Sequence, residues 1–428
     1  MLLISILHAM PFSPLSGILS QLRITTEQKR DFANGMIEEV NRNAQGSDLD
    51  MLPSHIFGLP TGKEKGTFIT LDMGGSNFRV KKVVLNGDGT ASQEDGKSYE
   101  FDQDLKRVHG LELFGFIASK VKEFVDKHNI DRRVPIAFTF SFPYYSDNAN
   151  HAVLTQWQKG FTNAEVEKRD VVKLLSQALD KKGVKNECIL VINDSVGTLL
   201  SNIYKSPNTK IGVILGTGTN AAFIKDDTFI NTEWAAFLRK SDHMEFTKYD
   251  ILLDEQSSNA GLNRFEKMIG GMYLGELARL ILSDFIEGMD AFGPYEFKTM
   301  FLSQIAKDKR NIVDIFAQRH LELDELQIEV VNYVCIAVGR RSAELVASAI
   351  VGLIDVSDSL KDEEQITVGI DGSLYTKYPG YKQMMEETIR ELLCDFADLI
   401  ILEEAKDGSS VGAAVGAAIL SKSIAYAK

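Results

Sequence analysis

Cysteine is scarce in this chain of 428 residues, which contains only three. Cys188, Cys335 and Cys394 lie far apart in apolar surroundings, and no Cys-x-x-Cys pair occurs. Seven scattered histidines supply no zinc-ligand spacing either. The pattern argues against a disulfide scaffold and a structural zinc site. It predicts three buried, small apolar side chains in a protein of a reducing compartment.

Long apolar runs are absent as well. The N-terminal segment MLLISILHAMPF is largely apolar, but it lacks basic residues and is too short to span a bilayer. We predict a packed or frayed extension there, with an anchor at the mitochondrial surface as the alternative. No other run approaches membrane-spanning length. We therefore expect a cytoplasmic protein with no membrane span, and we leave nuclear or mitochondrial-surface association open.

Positive charge is in deficit, because 47 Lys and Arg face 60 Asp and Glu, giving a formal net charge of −13. This balance argues against direct binding to nucleic acid or to acidic membranes. An acidic protein can still hold an anionic ligand when backbone N–H groups make the contacts. The length predicts two or three domains or one two-lobed unit, and 44% hydrophobic residues suffice for sizeable cores.

Two stretches combine an apolar strand, a glycine turn and a second apolar strand. They span 67–85, with LDMGGSN, and 211–224, with LGTGTN. Each predicts a tight hairpin, and together they indicate an internal repeat. The remaining pattern predicts buried strands at 134–143, 187–194 and 366–375, and helices at 17–45, 111–128, 264–286, 325–354, 380–398 and 408–427. The chain therefore reads as an α/β protein.

Four glycine-rich turns follow strands, at 72–77, 215–220, 370–373 and 406–410. Glycine lets backbone N–H groups approach a phosphate closely. One such turn is more simply a tight hairpin, whereas four, three of them flanked by small hydroxyl residues, favour a phosphate ligand. None has the spacing of a P-loop, and none is a GxGxxG in a strand–helix unit, which argues against a Rossmann site.

Acidic side chains stand beside apolar segments. VINDSV places Asn193 and Asp194 at the end of a buried strand, where a carboxylate is costly unless it is solvated, paired or functional. Asp194 is either a base toward an alcohol or the N-cap of a helix, and the local residues leave both open. Taken singly, Glu233 and Glu266 are structural residues.

In order and approximate spacing, these motifs resemble those of single-copy hexokinases, within the actin, Hsp70 and sugar kinase superfamily. The similar segments are LDMGGSNFRV, FTFSFP followed by WQKGF, INDSVGTL, LGTGTN, INTEWAAF, FEKMIGGMYLGELARLIL and VGIDGSLYTKYPGY, and VGRRSAEL is closest to fungal members. The resemblance covers nearly the whole chain. It implies two ribonuclease-H-like lobes with a sugar cleft between them. The small lobe would be 62–194, joined by a C-terminal helix at about 410–428, and the large lobe 1–61 and 195–409.

The resemblance also implies an activity, the ATP-dependent phosphorylation of a hexose at its 6-hydroxyl, by a monomer or weak homodimer that uses ATP and magnesium. Asp194 matches the base that takes the hydroxyl proton, and Asp72 matches the acid that meets magnesium indirectly. The positions matching sugar contacts are Ser141, Gln158, Lys159, Asn193, Asn220, Glu233 and Glu266. Those matching phosphate and nucleotide contacts are Asp72, Gly74, Gly75, Ser76, Asn77, Arg79, Gly216, Thr217, Gly218, Thr219, Gly372, Ser373, Gly408 and Ser409.

Four departures from the family pattern lie near these implied sites. Gln158 stands where the family has Thr in WTKGF. Ala260 and Asn263 replace parts of an NPGQQ-type run, and Ser410 replaces a glycine. Gln still donates and accepts hydrogen bonds but is larger than Thr. The alternative is therefore a hexokinase-like sugar-sensing regulator with weak or no catalysis, while the retained Asp194 favours the enzyme.

Overall fold

The computed structural model describes residues 13–42, 46–130, 134–184, 186–240, 242–357, 360 and 364–426. The prediction for the N-terminal segment, residues 1–12, therefore falls outside the described residues. Across the described ranges, no helix has both the length and the apolar character that a membrane crossing requires.

The described chain contains strands and helices, with its longest run of helices between β11 and β12. The strands are β1 (Leu52–Pro53), β2 (Lys65–Met73), β3 (Asn77–Asn86), β4 (Ala91–Glu100), β5 (Val134–Phe140), β6 (Tyr144–Tyr145), β7 (Val153–Leu154), β8 (Asn186–Ile192), β9 (Thr209–Leu215), β10 (Thr219–Lys225), β11 (Thr228–Asn231), β12 (Ile366–Asp371) and β13 (Ile400–Glu404). The helices are α1 (Ser13–Leu22), α2 (Thr26–Asn41), α3 (Gly110–Lys127), α4 (Val171–Lys181), α5 (Asp194–Lys205), α6 (Lys248–Gln256), α7 (Arg264–Ile269), α8 (Leu274–Leu282), α9 (Thr299–Lys307), α10 (Asn311–Ala317), α11 (Glu325–Val356), α12 (Ser373–Lys377), α13 (Tyr381–Leu393) and α14 (Gly408–Tyr426).

Two mixed sheets share one strand order. The first sheet runs β4-β3-β2-β5-β8, and the second runs β1-β11-β10-β9-β12-β13. Apart from the short edge strand β1, which pairs antiparallel with β11, each sheet has three strands paired antiparallel as a meander and two parallel strands that extend it. The shared order confirms the two predicted hairpins and the two-fold ribonuclease-H-like α/β fold. The lobe boundaries at 62–194 and 195–409 stay a prediction.

An apolar cluster joins the two sheets. It takes Phe68 from the first sheet, Phe229 from the second, Leu199 from α5 and Ala414 from α14. Each side chain is shielded from solvent, so burial of apolar area stabilises the contact between the two halves. Helices α5 and α14 therefore form the central layer of the molecule.

Glycines allow α5 and α14 to lie in direct backbone contact. A Cβ atom added to Gly412 of α14 would collide with the carbonyl oxygen of Gly197 in α5. On the second sheet, a Cβ on Gly212 of β9 would lie 2.6 Å from the backbone nitrogen of Leu199. Helix α5 is thus held closely on two sides. Because Asp194 is its first residue, this packing also positions Asp194.

Two predicted helices are each divided in the structure. The segment 17–45 forms α1 and α2, and Thr25 caps α2 by exchanging side-chain and backbone hydrogen bonds with Gln28. The segment 264–286 forms α7 and α8, separated at Gly270–Tyr273. The single-helix predictions were wrong because apolar spacing continues through both breaks, while capping and tertiary hydrogen bonds end the helices.

The cysteine prediction holds for Cys335 and is wrong for Cys394. Cys335 is buried in α11, whereas Cys394 is exposed directly after α13. Its φ of 51° places it in the left-handed region where the helix ends. Apolar neighbours in the sequence therefore did not imply burial. The side chain of Cys188 is outside the described part of the structure.

Gly412→Ala should lower the free energy of unfolding by about 1–3 kcal/mol, because the new methyl group overpacks the α5–α14 contact. Urea unfolding measures this change. Gly115→Ala in α3 is a matched control, since nothing lies within 4 Å of its added Cβ atom. Alanine in a helix should stabilise there by roughly 0.5–1 kcal/mol. Similar effects of the two substitutions would contradict the close contact at Gly412.

Candidate active site

The four glycine turns meet in two pairs near the start of α5. A Cβ atom on Gly372 would collide with the carbonyl oxygen of Leu215, which places turn 370–373 against turn 215–220. Ser409 Oγ lies 3.5 Å from Asp72 Oδ2, which places turn 406–410 beside turn 72–77. The structure therefore brings together segments more than 150 residues apart in the sequence, each ending a strand or beginning a helix.

Two glycines place the predicted phosphate turns directly beside predicted sugar contacts. A Cβ atom on Gly75 would lie 2.6 Å from Cδ of Lys159. One on Gly218 would lie 2.5 Å from Oε2 of Glu266. A larger residue at either position would displace its neighbour. The glycines therefore join a backbone-lined anion site to a polar pocket.

The backbone between α7 and α8 forms hydrogen bonds to the turn 215–220. Gly271 N–H donates to the Gly216 carbonyl and Met272 N–H donates to the Thr217 carbonyl, each at 2.9 Å. A continuous helix would direct these N–H groups into its own hydrogen bonds. The interruption that the sequence did not predict thus orients the turn 215–220.

Three carboxylates share the space between the turns. Asp72 is the next-to-last residue of β2, Asp194 begins α5 and Asp371 ends β12. Burial raises the pKa of Asp72 to about 6, with Arg79 lowering it and Asp194 raising it. Burial also raises the pKa of Asp371 to about 6, and Asp194, Asp407 and Asp72 raise it further. Negative charge accumulates here, and Arg79 lies 3.9 Å from Asp72.

Asn193, and not Asp194, caps α5. Its Oδ1 accepts hydrogen bonds from the backbone N–H of Ser195 at 3.0 Å and from Asn220 Nδ2 at 3.1 Å. Asp194 Oδ1 also accepts from the Ser195 N–H, at 2.9 Å. The capping alternative for Asp194 is therefore wrong, because its neighbour has that role. The Asp194 carboxylate lies in the first turn of the helix, half-buried.

A chain of side-chain amides leads from the cap to Glu233. Asn220 Nδ2 donates to Asn231 Oδ1 at 2.8 Å, and Asn231 Nδ2 donates to Glu233 Oε1, also at 2.8 Å. Asn220 and Asn231 are buried, so these bonds fix their amide orientations. Asn193, Asn220 and Glu233 therefore form one connected polar wall.

Burial raises the pKa of Glu233 to about 7. The hydrogen bond from Asn231 opposes this, the charges of Asp194 and Glu266 increase it, and Lys159 lowers it. Glu233 has a φ of 49°, in the left-handed region that non-glycine residues rarely adopt. An ionisable group held this way is more often functional than structural.

Glu266 lies beside the turn 215–220. Its Oε2 accepts the backbone N–H of Thr219 at 3.0 Å. Burial raises its pKa, while the Thr219 N–H, the Lys159 charge and a hydrogen bond with the Asn263 side chain lower it. Asn263, one of the four departures from the family pattern, therefore contacts a predicted sugar residue.

Lys159 reaches the site from the first half of the chain. Its Nζ donates to the Ser141 carbonyl at 2.5 Å and lies 5.2 Å from the centre of the Phe142 ring. Its φ of 57° is left-handed. Gln158 is half-buried, and its side chain makes no hydrogen bond to any other described residue. The structure thus brings the predicted sugar residues together, with Gln158 adjoining them.

Sequence reasoning missed three residues here. They are Asn231, Asp371 and Tyr144. The pKa of Tyr144 is raised by burial and by the nearby charges of Glu233 and Asp194. Asp371 carried a usable signal, since it ends an apolar strand as Asp194 nearly does. No sequence signal pointed to Asn231 or Tyr144 individually. The position of Asn231 depends on the pairing of β10 with β11, and that of Tyr144 on the pairing of β6 with β7.

Glu233→Gln should become increasingly more stable than the wild type as the pH rises. A pKa raised from 4.5 to about 7 means that the folded protein retains a proton that the unfolded chain releases. The stability from this proton is present below the unfolded pKa and lost as the pH rises through the folded one. Between about pH 5 and about pH 8, we expect the variant's advantage in unfolding free energy to grow by on the order of 2 kcal/mol.

Gln can still accept the Asn231 hydrogen bond, so the polar wall should remain intact. Urea unfolding at both pH values measures the effect. Glu112→Gln, at an exposed glutamate of α3, is the control and should show no such growth. A constant difference between Glu233→Gln and the wild type would mean that Glu233 ionises normally.

Comparison with known proteins places this arrangement in a family. Two family models described as hexokinase match residues 14–204 and 210–419. Hexokinase-2 of Candida albicans is 32% identical, over 97% of this chain and 93% of its own length. Hexokinase-4, chloroplastic, of Oryza sativa subsp. japonica is 34% identical, over 96% of this chain and 90% of its own length. Hexokinase-1 of Homo sapiens is 34% identical, but the chain spans only 46% of it, about half.

Solved structures agree with these matches. A hexokinase from Schistosoma mansoni complexed with glucose has a TM-score of 0.83 and 30% identity, covering 94% of this chain and 98% of its own. A second hexokinase crystal structure has a TM-score of 0.84 and 29% identity, and the match covers 95% of this chain and 98% of that one. Since the family models cover most of the chain and relatives match it nearly end to end, the chain belongs to the hexokinase family.

Proposed function

We propose that this protein transfers the γ-phosphoryl group of ATP to the 6-hydroxyl of a glucose-like hexose. The observation that carries the proposal is the place of Asp194. It begins α5 between backbone turns suited to phosphate and a wall of amides and carboxylates suited to a sugar. The family membership supports the same reaction. ADP and the hexose 6-phosphate are the expected products.

The polar wall matches the chemistry of a neutral sugar. Each sugar hydroxyl can donate and accept a hydrogen bond, so it needs partners of both kinds. Asn193 and Asn220 offer both, Glu233 and Glu266 accept, and Lys159 donates. Ser141 and Gln158 adjoin this set. Because most of these groups are already hydrogen-bonded to one another, little reordering is needed when a hexose binds.

Asp194 is the base in this proposal. As the sugar's 6-oxygen attacks the γ-phosphorus, Asp194 takes the hydroxyl proton, the bond to the β,γ-bridging oxygen breaks and ADP leaves. The N-terminus of α5 favours the charged carboxylate, and the Ser195 N–H fixes one of its oxygens at 2.9 Å. The other oxygen is then available to the hydroxyl.

Backbone N–H groups explain how an acidic protein holds ATP. The turns around Gly74, Gly216 and Gly408 would supply these donors, and α14 presents its N-terminus at Ser409. Among the described residues, no group of three or more His, Cys, Asp or Glu could hold a metal ion. The donor set nevertheless fits magnesium, which binds through one or two carboxylates, waters and phosphates. Asp72 would hold it through water, and the ion neutralises phosphate charge when bound.

Two lobes would enclose the hexose. In this proposal the lobe of 62–194 with the C-terminal helix contributes Ser141 and Lys159, and the lobe of 1–61 with 195–409 contributes Asn220 and Glu233. Closure of the cleft would exclude water and so limit the hydrolysis of ATP. A cytoplasmic location and a monomeric or weakly dimeric state remain predictions.

Asp194→Ala should lower kcat for hexose phosphorylation by about 10²–10⁴-fold, since a general base typically contributes that much. Hexose binding, followed by calorimetry, should stay measurable because the amide wall remains. Asp290→Ala, at an exposed aspartate, is the control and should leave both unchanged. Retention of more than about a tenth of the rate by Asp194→Ala would exclude Asp194 as the base.

Gln158→Thr should raise kcat/KM for glucose by about tenfold, the equivalent of one recovered contact of ~1.4 kcal/mol. Threonine is short and restricted in its rotamers, whereas Gln loses more side-chain entropy when it is ordered. Coupled assays of ADP formation with glucose, mannose and fructose measure the change in wild type and variant. Equal changes for all three sugars would mean that position 158 does not select the substrate. A wild type that binds hexose without turnover would instead favour the regulator alternative.

A further inference from the structure

Lys81 is a buried lysine that the proposed reaction does not use. It lies in β3 with 7% of its surface exposed. Its Nζ donates to Asp407 Oδ1 at 2.8 Å and to Gln93 Oε1 at 3.2 Å. A buried ammonium group is tolerated only when it is paired and hydrogen-bonded. The contact therefore joins β3 to a segment 326 residues further along the chain.

Asp407 controls where α14 begins. Its φ of 52° is in the left-handed region, and its carbonyl accepts the Val411 N–H at 3.3 Å in the first turn of the helix. The next residues are Gly408 and Ser409, whose backbone N–H groups start α14. The bond from Lys81 ties the side chain of this residue to the first sheet, at the point where the backbone enters α14.

The strand β3 presents two cations to the acidic cluster. In register with β2, Arg79 lies opposite Asp72 and Lys81 lies opposite Thr70. Residues two apart on a strand share a face, so both side chains extend from the same side of β3. Arg79 lies near Asp72, at 3.9 Å, and Lys81 pairs with Asp407. Lys81 thus pairs with Asp407, and its charge, like that of Arg79, also lowers the pKa of Asp72.

The turn held by Lys81 also touches Asp72. Ser409 Oγ lies 3.5 Å from Asp72 Oδ2, and the Ser409 carbonyl accepts a hydrogen bond from Thr139 Oγ1 at 3.4 Å. These two contacts are long and therefore weak. The Lys81–Asp407 ion pair, at 2.8 Å with the lysine buried and the aspartate half-exposed, is a shorter contact between this turn and the first sheet.

We propose that Lys81 is a positioning residue for the nucleotide: its bond to Asp407 holds the turn 406–410 beside Asp72, so that nucleotide affinity depends on it and hexose affinity does not. This inference rests on the proposed function, which places the nucleotide phosphates at that turn. The alternative is that the Lys81–Asp407 pair contributes to the stability of the fold alone.

Three substitutions test the proposal. Lys81→Met keeps an unbranched apolar stem and removes the charge, Lys81→Arg restores it, and Asp407→Asn removes the partner charge. Lys82→Met is the matched control, because the neighbouring lysine points to the other face and pairs with Glu94 at 3.0 Å. The measurements are the Kd for ADP with magnesium by calorimetry, the KM for ATP and for hexose, kcat and the thermal midpoint.

Lys81→Met should raise the Kd for ADP and the KM for ATP by about tenfold, which corresponds to ~1.4 kcal/mol. The KM for hexose should change less than about twofold. Lys81→Arg should recover most of the affinity, and Lys82→Met should match the wild type. The double variant Lys81→Met, Asp407→Asn should lose no more affinity than the worse single variant, because each single variant already removes the Lys81–Asp407 interaction.

An unchanged Kd for ADP in Lys81→Met would overturn the proposal. The proposal would also be overturned if Lys81→Met lowered the thermal midpoint and weakened ADP and hexose binding to the same degree, since the pair would then contribute to stability alone. If Lys81→Met does not fold, Asp407→Asn, whose side chain is half-exposed, makes the same test. A wild type that binds ADP but forms none in response to hexose would refute the proposed function only. A wild type that does not bind ADP would refute both.

Discussion

The backbone contact between α5 and α14 is the constraint on which the rest of the structure depends. Gly197 and Gly412 bring the two helices together between the sheets, and Gly212 brings the second sheet onto α5. Contacts this close leave little freedom for a helix to shift, because the interior is already densely packed. Asp194 therefore has a fixed position relative to both sheets, and the phosphate turns that end their strands are placed around it.

The site is built from groups that weaken the fold. Asp72, Glu233 and Asp371 all have pKa values raised by burial, so keeping them charged at neutral pH costs folding free energy. Buried amides such as Asn231 offset part of this cost through hydrogen bonds to the carboxylates. A ligand that brings positive charge or sugar hydroxyls supplies partners that the protein alone lacks. The same interactions that destabilise the empty pocket thus favour its occupation.

Local pattern predicts the secondary elements well and their ends less well. The two hairpins and the central helices follow from apolar spacing and glycine turns. The break at Gly270 does not, since its cause is a hydrogen bond to a turn more than fifty residues away. In the site, the motif residues were predictable through their family resemblance. Asn231 was not, and neither was the pairing of Lys81 with Asp407, because these contacts exist only after distant segments have packed.

The strand order that the two sheets share has a consequence for the proposed phosphate site. The turn after β2 and the turn after β9 occupy equivalent places in their sheets. The shared strand order therefore relates the two turns as parts of an internal repeat. Under the proposed function, an anion held by both turns would contact the backbone of each half of the chain. Neither half alone would then surround the phosphate, so the proposed site would be shared between two similar halves of a single polypeptide.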